Sequence, residues 1–151
     1  MADDEISEDA AEMLRESIED HHEFLSWIGT RVEDVSRGAV TMTIPFDEKL
    51  TNPTSPPTMQ GGIAATLVDT AGGLACRSAL DDPLTEGVAT INLNVNYLRR
   101  AGSDITAHAE VVRAGGSVGW ANVMVDSETP DGDRTAVAAG QAAYRLFRSR
   151  D

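Results

Sequence analysis

The stretch from Thr58 to Ala75, TMQGGIAATLVDTAGGLA, constrains the fold more than any other part of the chain. From Gln60 to about Leu80, apolar residues fall on nearly every side of a helix: Ile63, Ala64, Leu67, Val68, Ala71, Leu74 and Ala75. Such a helix belongs in an interior rather than on a surface. Gly61, Gly62, Ala64, Ala65, Ala71, Gly72 and Gly73 are small enough to let other backbones come close. One carboxylate, Asp69, interrupts the run. Burying a charge is costly unless it is paired or put to use.

The rest of the chain reads as the wrapping. Residues 1–8 are an acidic tail expected to fray, and residues 9–151 are long enough for one domain with its own core. From Ala10 to about Trp27 the pattern predicts one amphipathic helix, carried by Met13, Leu14, Ile18, Phe24 and Leu25 and closed by Gly29. TRVEDVSRGAVTMTIPF alternates on both sides of Ser36-Arg37-Gly38, which predicts two strand pieces ended by Pro45. DEKLTNPTSPPTM is a loop, and DDPLTEG a turn. Four strands follow, at about 88–99, 103–113, 117–128 and 134–147. Their separators, RAG, AGG and TPDGD, are short and carry glycine, so successive strands are expected to form antiparallel hairpins. In the first strand Ile91, Leu93, Val95 and Tyr97 alternate with Asn92, Asn94 and Asn96. The helix needs burial on all sides and the sheet needs its apolar face covered. The economical solution is an α+β fold: an antiparallel sheet curved around a long central helix, with an N-terminal helix beside it. One sheet covers only part of a helix, so a second copy is expected to cover more.

Charge narrows the partners. The chain carries 25 acidic residues against 12 basic ones, a net −13, and Lys49 is its single lysine. Nucleic acid is a poor match for that surface. Concentrated salt is a good one, because the Debye length falls to about 3 Å at 1 M and like charges stop repelling; a salt-adapted source is expected. No apolar run approaches the roughly 18 residues of a membrane span, and the opening MADDEISEDAAE lacks a signal-peptide pattern. The expectation is a cytoplasmic protein with neither membrane nor nucleic-acid partners. Cys76, the only cysteine, is expected to be a small buried hydrophobe rather than a reactive thiol.

LTNPTSPPTMQGGIAATLVDTAGGLA, followed by GVATINLNVNYLRRA, resembles the hot-dog fold acyl-CoA thioesterases, in particular their phenylacetate-pathway (PaaI-like) branch. The likeness covers roughly residues 24–147. In that branch an asparagine precedes a His-Gly-Gly triplet, and an acid follows nine positions after the histidine. Here Asn52 stands for the asparagine, Gln60-Gly61-Gly62 for the triplet, and Asp69 for the acid at the same spacing. The chain departs in two ways. Gln60 replaces the histidine, and the loop after Asn52 is about two residues longer. The resemblance implies hydrolysis of an acyl-CoA by a homodimer, assembled further as a homotetramer, with no cofactor beyond the coenzyme A of the substrate. It also implies that Thr90 orients water near the acid. The strand carrying Asn96 would border the coenzyme A channel.

The residues can be read for that chemistry directly. A carboxylate in an apolar helix is a candidate base or nucleophile, its basicity raised by desolvation. The backbone N–H groups of Gly61 and Gly62 open the helix without intrahelical partners, where the dipole favours negative charge. Gln60 can add an amide N–H but cannot relay protons as a histidine does. Asp69 lies eight residues beyond Gly61, which is about 12 Å along one helix. A base and an oxyanion site must both reach one carbonyl at about 3 Å. Two antiparallel helices, one per subunit, satisfy this where one helix does not, so active sites are expected at a two-fold interface. For the phosphates, Arg99-Arg100 is the adjacent basic pair, with Arg113 closing the next strand. No His/Cys/Asp spacing reads as a metal site, and the glycine-rich stretches lack a P-loop or dinucleotide context. The rival readings are a non-catalytic acyl-CoA-binding or regulatory protein on the same fold, a hydratase or dehydratase lacking its usual histidine, and a purely structural oligomer that would leave Asp69 unexplained.

Overall fold

The computed structural model describes residues 5–149; residues 1–4 of the expected acidic tail lie outside the described residues. Ser7 caps the first helix by accepting the N–H of Ala10. The N-terminal segment forms two helices where the periodicity predicted one: α1 (Glu8–Glu19) and α2 (Glu23–Trp27). The cause lies in His22, whose ring accepts the N–H of Leu25 and starts a new helix. Such local side-chain caps compete with helix continuation. The expected stop at Gly29 holds. Its φ is +82°, and the N–H groups of Gly29 and Thr30 bond the carbonyls of Ser26 and Leu25, the paired bonds of a glycine-terminated helix.

Strands β1 (Arg31–Ser36) and β2 (Ala39–Ile44) form a hairpin around Arg37-Gly38. The proline-bearing loop is more ordered than expected: a 3-10 turn at Glu48–Leu50, then β3 (Thr51–Asn52) paired with β4 (Thr58–Met59). The long helix α3 spans Gly61–Ser78. Strands β5 (Gly87–Tyr97), β6 (Ile105–Ala114), β7 (Val118–Glu128) and β8 (Arg134–Phe147) complete the chain. The main sheet is six-stranded and antiparallel, in the order β1-β2-β6-β7-β8-β5.

That order corrects one expectation. β6–β7 and β7–β8 are hairpins, but β5 does not pair with β6. It pairs with β8 at one edge, while β6 pairs with β2. The RAG segment crosses the end of the sheet instead. Its backbone is tied to other elements, by Met59 N–H to the Ala101 carbonyl and Gly102 N–H to that of Glu128. A side chain at Gly102 would press on backbone atoms at 3.2 Å.

α3 packs against β2, β5, β6, β7 and β8. Leu67, Val68, Ala71 and Ala75 are buried against inward residues of the sheet such as Met42, Ile105, Ala107, Val123 and Val125. At roughly 25 cal/mol per Å² of apolar surface, such burial dominates the stability. Close approach uses the small residues: a Cβ on Gly72 would sit 2.5 Å from the Tyr144 hydroxyl. Burial of α3 is not complete, however. Gly62, Ala65, Thr66, Asp69 and Thr70 form a stripe along one side that the chain's own sheet leaves partly open. Cys76 is fully buried, and burial pushes its thiol pKa up to about 11.

Candidate active site

Asp69 projects from the open stripe of α3 and accepts a hydrogen bond from the Thr90 hydroxyl at 2.7 Å. Strict alternation along β5 would put Thr90 with Asn92, on the face turned away from the helix. A β-bulge between Thr90 and Asn92 changes the phase. Thr90 pairs with Tyr144, then Leu93, Val95 and Tyr97 pair with Ala142, Gly140 and Ala138 on the same helix-facing side. Bulges re-aim side chains near functional sites, and this one brings the hydroxyl to the acid. Beneath them Tyr144, almost wholly buried, donates to the backbone carbonyl of Asp69 at 2.7 Å. Burial, followed by the charge of Asp69, raises the tyrosine's pKa well above its ordinary value, so the hydroxyl stays a donor. Asp69 itself is half-exposed in the single chain, not enclosed as the apolar helix suggested.

The start of α3 differs from expectation in detail. Gln60 is the N-cap, and its side-chain oxygen accepts the N–H of Gly62. That engages Gly62 within the chain. Among the described residues no acceptor takes the N–H of Gly61 or the Nε2 amide of Gln60. Tyr97 was missed as a site residue: its hydroxyl donates to the Gly61 carbonyl at 2.6 Å, and its ring lies against Gly61. The chain therefore offers one helix-opening N–H beside one glutamine amide.

Around Gly61 is a cavity of about 390 Å³ lined by Asn52, Tyr97, Arg99 and Arg100 among others. The β3–β4 pairing returns Asn52 to Gly61 despite the longer loop. Arg99 also donates to the Ala136 carbonyl at 2.8 Å. Asn96 is not part of this cavity; it pairs with Ala139 on the outer face of the sheet. Arg113 lies elsewhere, in a cavity with Gly116 and Trp120. The chain alone brings neither to Gly61.

Asp69 lines two other cavities. One, of about 330 Å³, runs over the open stripe to His22, Phe24 and Leu93. The other, of about 210 Å³, lies between α1, α3 and β5 and includes Thr90, Tyr144 and Arg77. The acid and the free N–H thus belong to separate cavities of one chain, as their spacing along α3 requires. His22 and Phe24 were not legible as site residues, because only the tertiary placement of α2 brings them to the open stripe. Arg77 shares α3 with Asp69, and its spacing of eight residues was the signal that could have found it.

Residues 57–132 match the family described as the thioesterase superfamily. A protein of Halobacterium salinarum, whose name marks it as a candidate esterase, is 48% identical over 145 residues, covering 94% of this chain and 95% of that one. A thioesterase family protein from Silicibacter pomeroyi superposes with a TM-score of 0.80 at 25% identity, over 93% of this chain and 99% of that one. A Shewanella oneidensis protein related to the thioesterase superfamily shares the fold with a TM-score of 0.78 at 23% identity, over 91% and 95% of the two chains. The six-stranded antiparallel sheet packed on a long helix is the hot-dog fold, and the chain belongs to the thioesterase superfamily.

Proposed function

We propose that this chain is an acyl-CoA thioesterase of the PaaI-like kind, with two active sites per homodimer, each built from both subunits. The observation that carries the reading is the Thr90–Asp69 hydrogen bond at 2.7 Å on the open stripe of α3, in a different cavity from the free N–H of Gly61. The edge strand β5 supports the dimer. Ile91 and Tyr97 are more than half exposed there, and Leu93 is exposed beside them. A long apolar edge strand is a template for pairing with another chain. Joining two β5 edges would lay the two open stripes against each other.

In the assembled site the thioester carbonyl lies between Asp69 of one subunit and the partner subunit's Gly61. Asp69 either takes a proton from water as it attacks the carbonyl carbon, or attacks that carbon itself. The oxygen that gains negative charge accepts from Gly61 N–H and Gln60 Nε2. Donors of this kind are each worth about 10²–10³ in rate. In the first route collapse breaks the C–S bond, and the departing thiolate takes up the proton held by Asp69. In the second, departure of the thiolate leaves an acyl anhydride on Asp69; water cleaves it to the free acid and the carboxylate, supplying the proton that the thiolate takes up. Asn52, which lines the Gly61 cavity, helps Gly61 and Gln60 hold the oxyanion, and Arg99 and Arg100 of the same cavity hold the coenzyme A. Exposed Trp120 and Met124 on the outer sheet face support further pairing of dimers into a tetramer. The net −13 and single lysine support a salt-adapted cytoplasmic setting.

Release of free thiol from a panel of acyl-CoAs, by wild type and Asp69→Asn, tests the reading. Turnover that the variant loses is expected. Tight binding of acyl-CoA with no turnover by the wild type would instead favour the non-catalytic reading. Light scattering on the same samples checks the dimer and the tetramer.

A further inference from the structure

The cavity of about 210 Å³ has an acid at one end and a cation at the other. Asp69, Gly73 and Arg77 follow one another at four-residue spacing, so the cavity runs along one side of α3. Between its ends the walls are Ile18 of α1, Leu74 of α3 and Val88 of β5. Arg77 is half-buried, and its Nε donates to the Pro83 carbonyl at 2.8 Å. Among the described residues no carboxylate lies within ion-pair distance of it, in a chain with 25 acidic residues. Its two terminal nitrogens have no hydrogen-bond partner among the described residues either. Burial pulls the pKa of this guanidinium below its ordinary value. An anionic neighbour would offset the same loss of solvation. The fork is therefore anchored at Nε, with its terminal N–H groups free to meet a carboxylate.

We propose that this cavity receives the acyl group and that Arg77 binds a carboxylate at its far end, so that the preferred substrates are thioesters of dicarboxylic acids. This rests on the thioesterase reading of Asp69. Asp69 and Arg77 are about 12 Å apart along the helix axis, a separation on the scale of a short dicarboxylic chain or one carboxylated ring together with its contacts at the two ends. An acidic protein repels anionic substrates in general, so an unpaired cation enclosed by Ile18, Leu74 and Val88 selects for an anion at that place. A free cation here has a second possible anion, a phosphate of coenzyme A, and the test separates the two.

kcat/KM is compared for matched pairs, butyryl- with succinyl-CoA and hexanoyl- with adipyl-CoA, for wild type, Arg77→Gln and Arg77→Lys, with thermal melting to establish folding. Wild type is expected to favour the dicarboxylic member. Arg77→Gln should lower kcat/KM for that member by about 10- to 100-fold, the size of one lost charge-assisted bond, while leaving the neutral member within about twofold; Arg77→Lys should recover part of it. An equal loss on all four substrates assigns Arg77 to a coenzyme A phosphate and overturns the proposal, as does a wild-type preference for neutral acyl groups. If the wild type hydrolyses none of them, the thioesterase reading fails separately. Calorimetry with adipate and hexanoate then decides the site: adipate binding that Arg77→Gln abolishes supports it, and no difference between the two acids overturns it.

Discussion

Replacing Thr90 with valine tests whether the bulge in β5 serves the chemistry. Valine keeps the shape and the β-branch and removes only the hydroxyl that donates to Asp69 at 2.7 Å. Hydrogen bonds to charged groups contribute about 1.5–3 kcal/mol. Both side chains are solvent-accessible in the single chain, and water can replace part of what is lost, so the lower end applies. At about 1.4 kcal/mol per factor of ten, Thr90→Val should reduce kcat/KM about tenfold. Thr90→Ser, which restores the hydroxyl, should recover most of the rate. The assay is steady-state thiol release from one good acyl-CoA substrate, with melting temperatures to show that both variants fold. The loss should fall on kcat more than on KM, because the bond orients a reacting group rather than gripping the substrate. Full activity in Thr90→Val would refute the argument that the bulge positions a working hydroxyl. An equal deficit in Thr90→Ser would point to packing instead.

Three other outcomes follow from the same geometry. Tyr144→Phe removes one buried hydrogen bond to the Asp69 carbonyl, so it should cost about 1 kcal/mol, or about 2–4 °C of melting temperature for a chain of this size; an unchanged melting curve would show that the bond contributes nothing. Cys76 should stay unlabelled by thiol reagents near pH 8 in the native protein and react on unfolding. Because its folded pKa is raised from 9.0 to about 11, it stabilises fully below pH 9, and that contribution is lost as pH rises toward 11; rapid native labelling would contradict its burial. With a net charge of −13, the melting temperature should climb as potassium chloride is raised from dilute to multimolar, and a flat profile would count against salt adaptation.

What the sequence determined by itself was local. The apolar run after Gln60 announced a central helix, and α3 lies there, within about two residues at its C-terminal end. Asp69 stood out because a charge in that run needs a reason. Gly29, as a helix stop, and strand patterns in β6, β7 and β8 were readable because periods of 3.6 and 2.0 depend on neighbours in sequence alone. The tertiary structure decided everything that depends on register between distant segments. It put β5 beside β8 rather than β6, and inserted the bulge that turns Thr90 toward Asp69. It set Tyr144 under the acid from 75 residues away. It also closed a cavity between Ile18 and Arg77. No periodicity encodes these, because each is a choice among competing long-range pairings, made where the total burial of apolar surface and the pairing of polar groups is best.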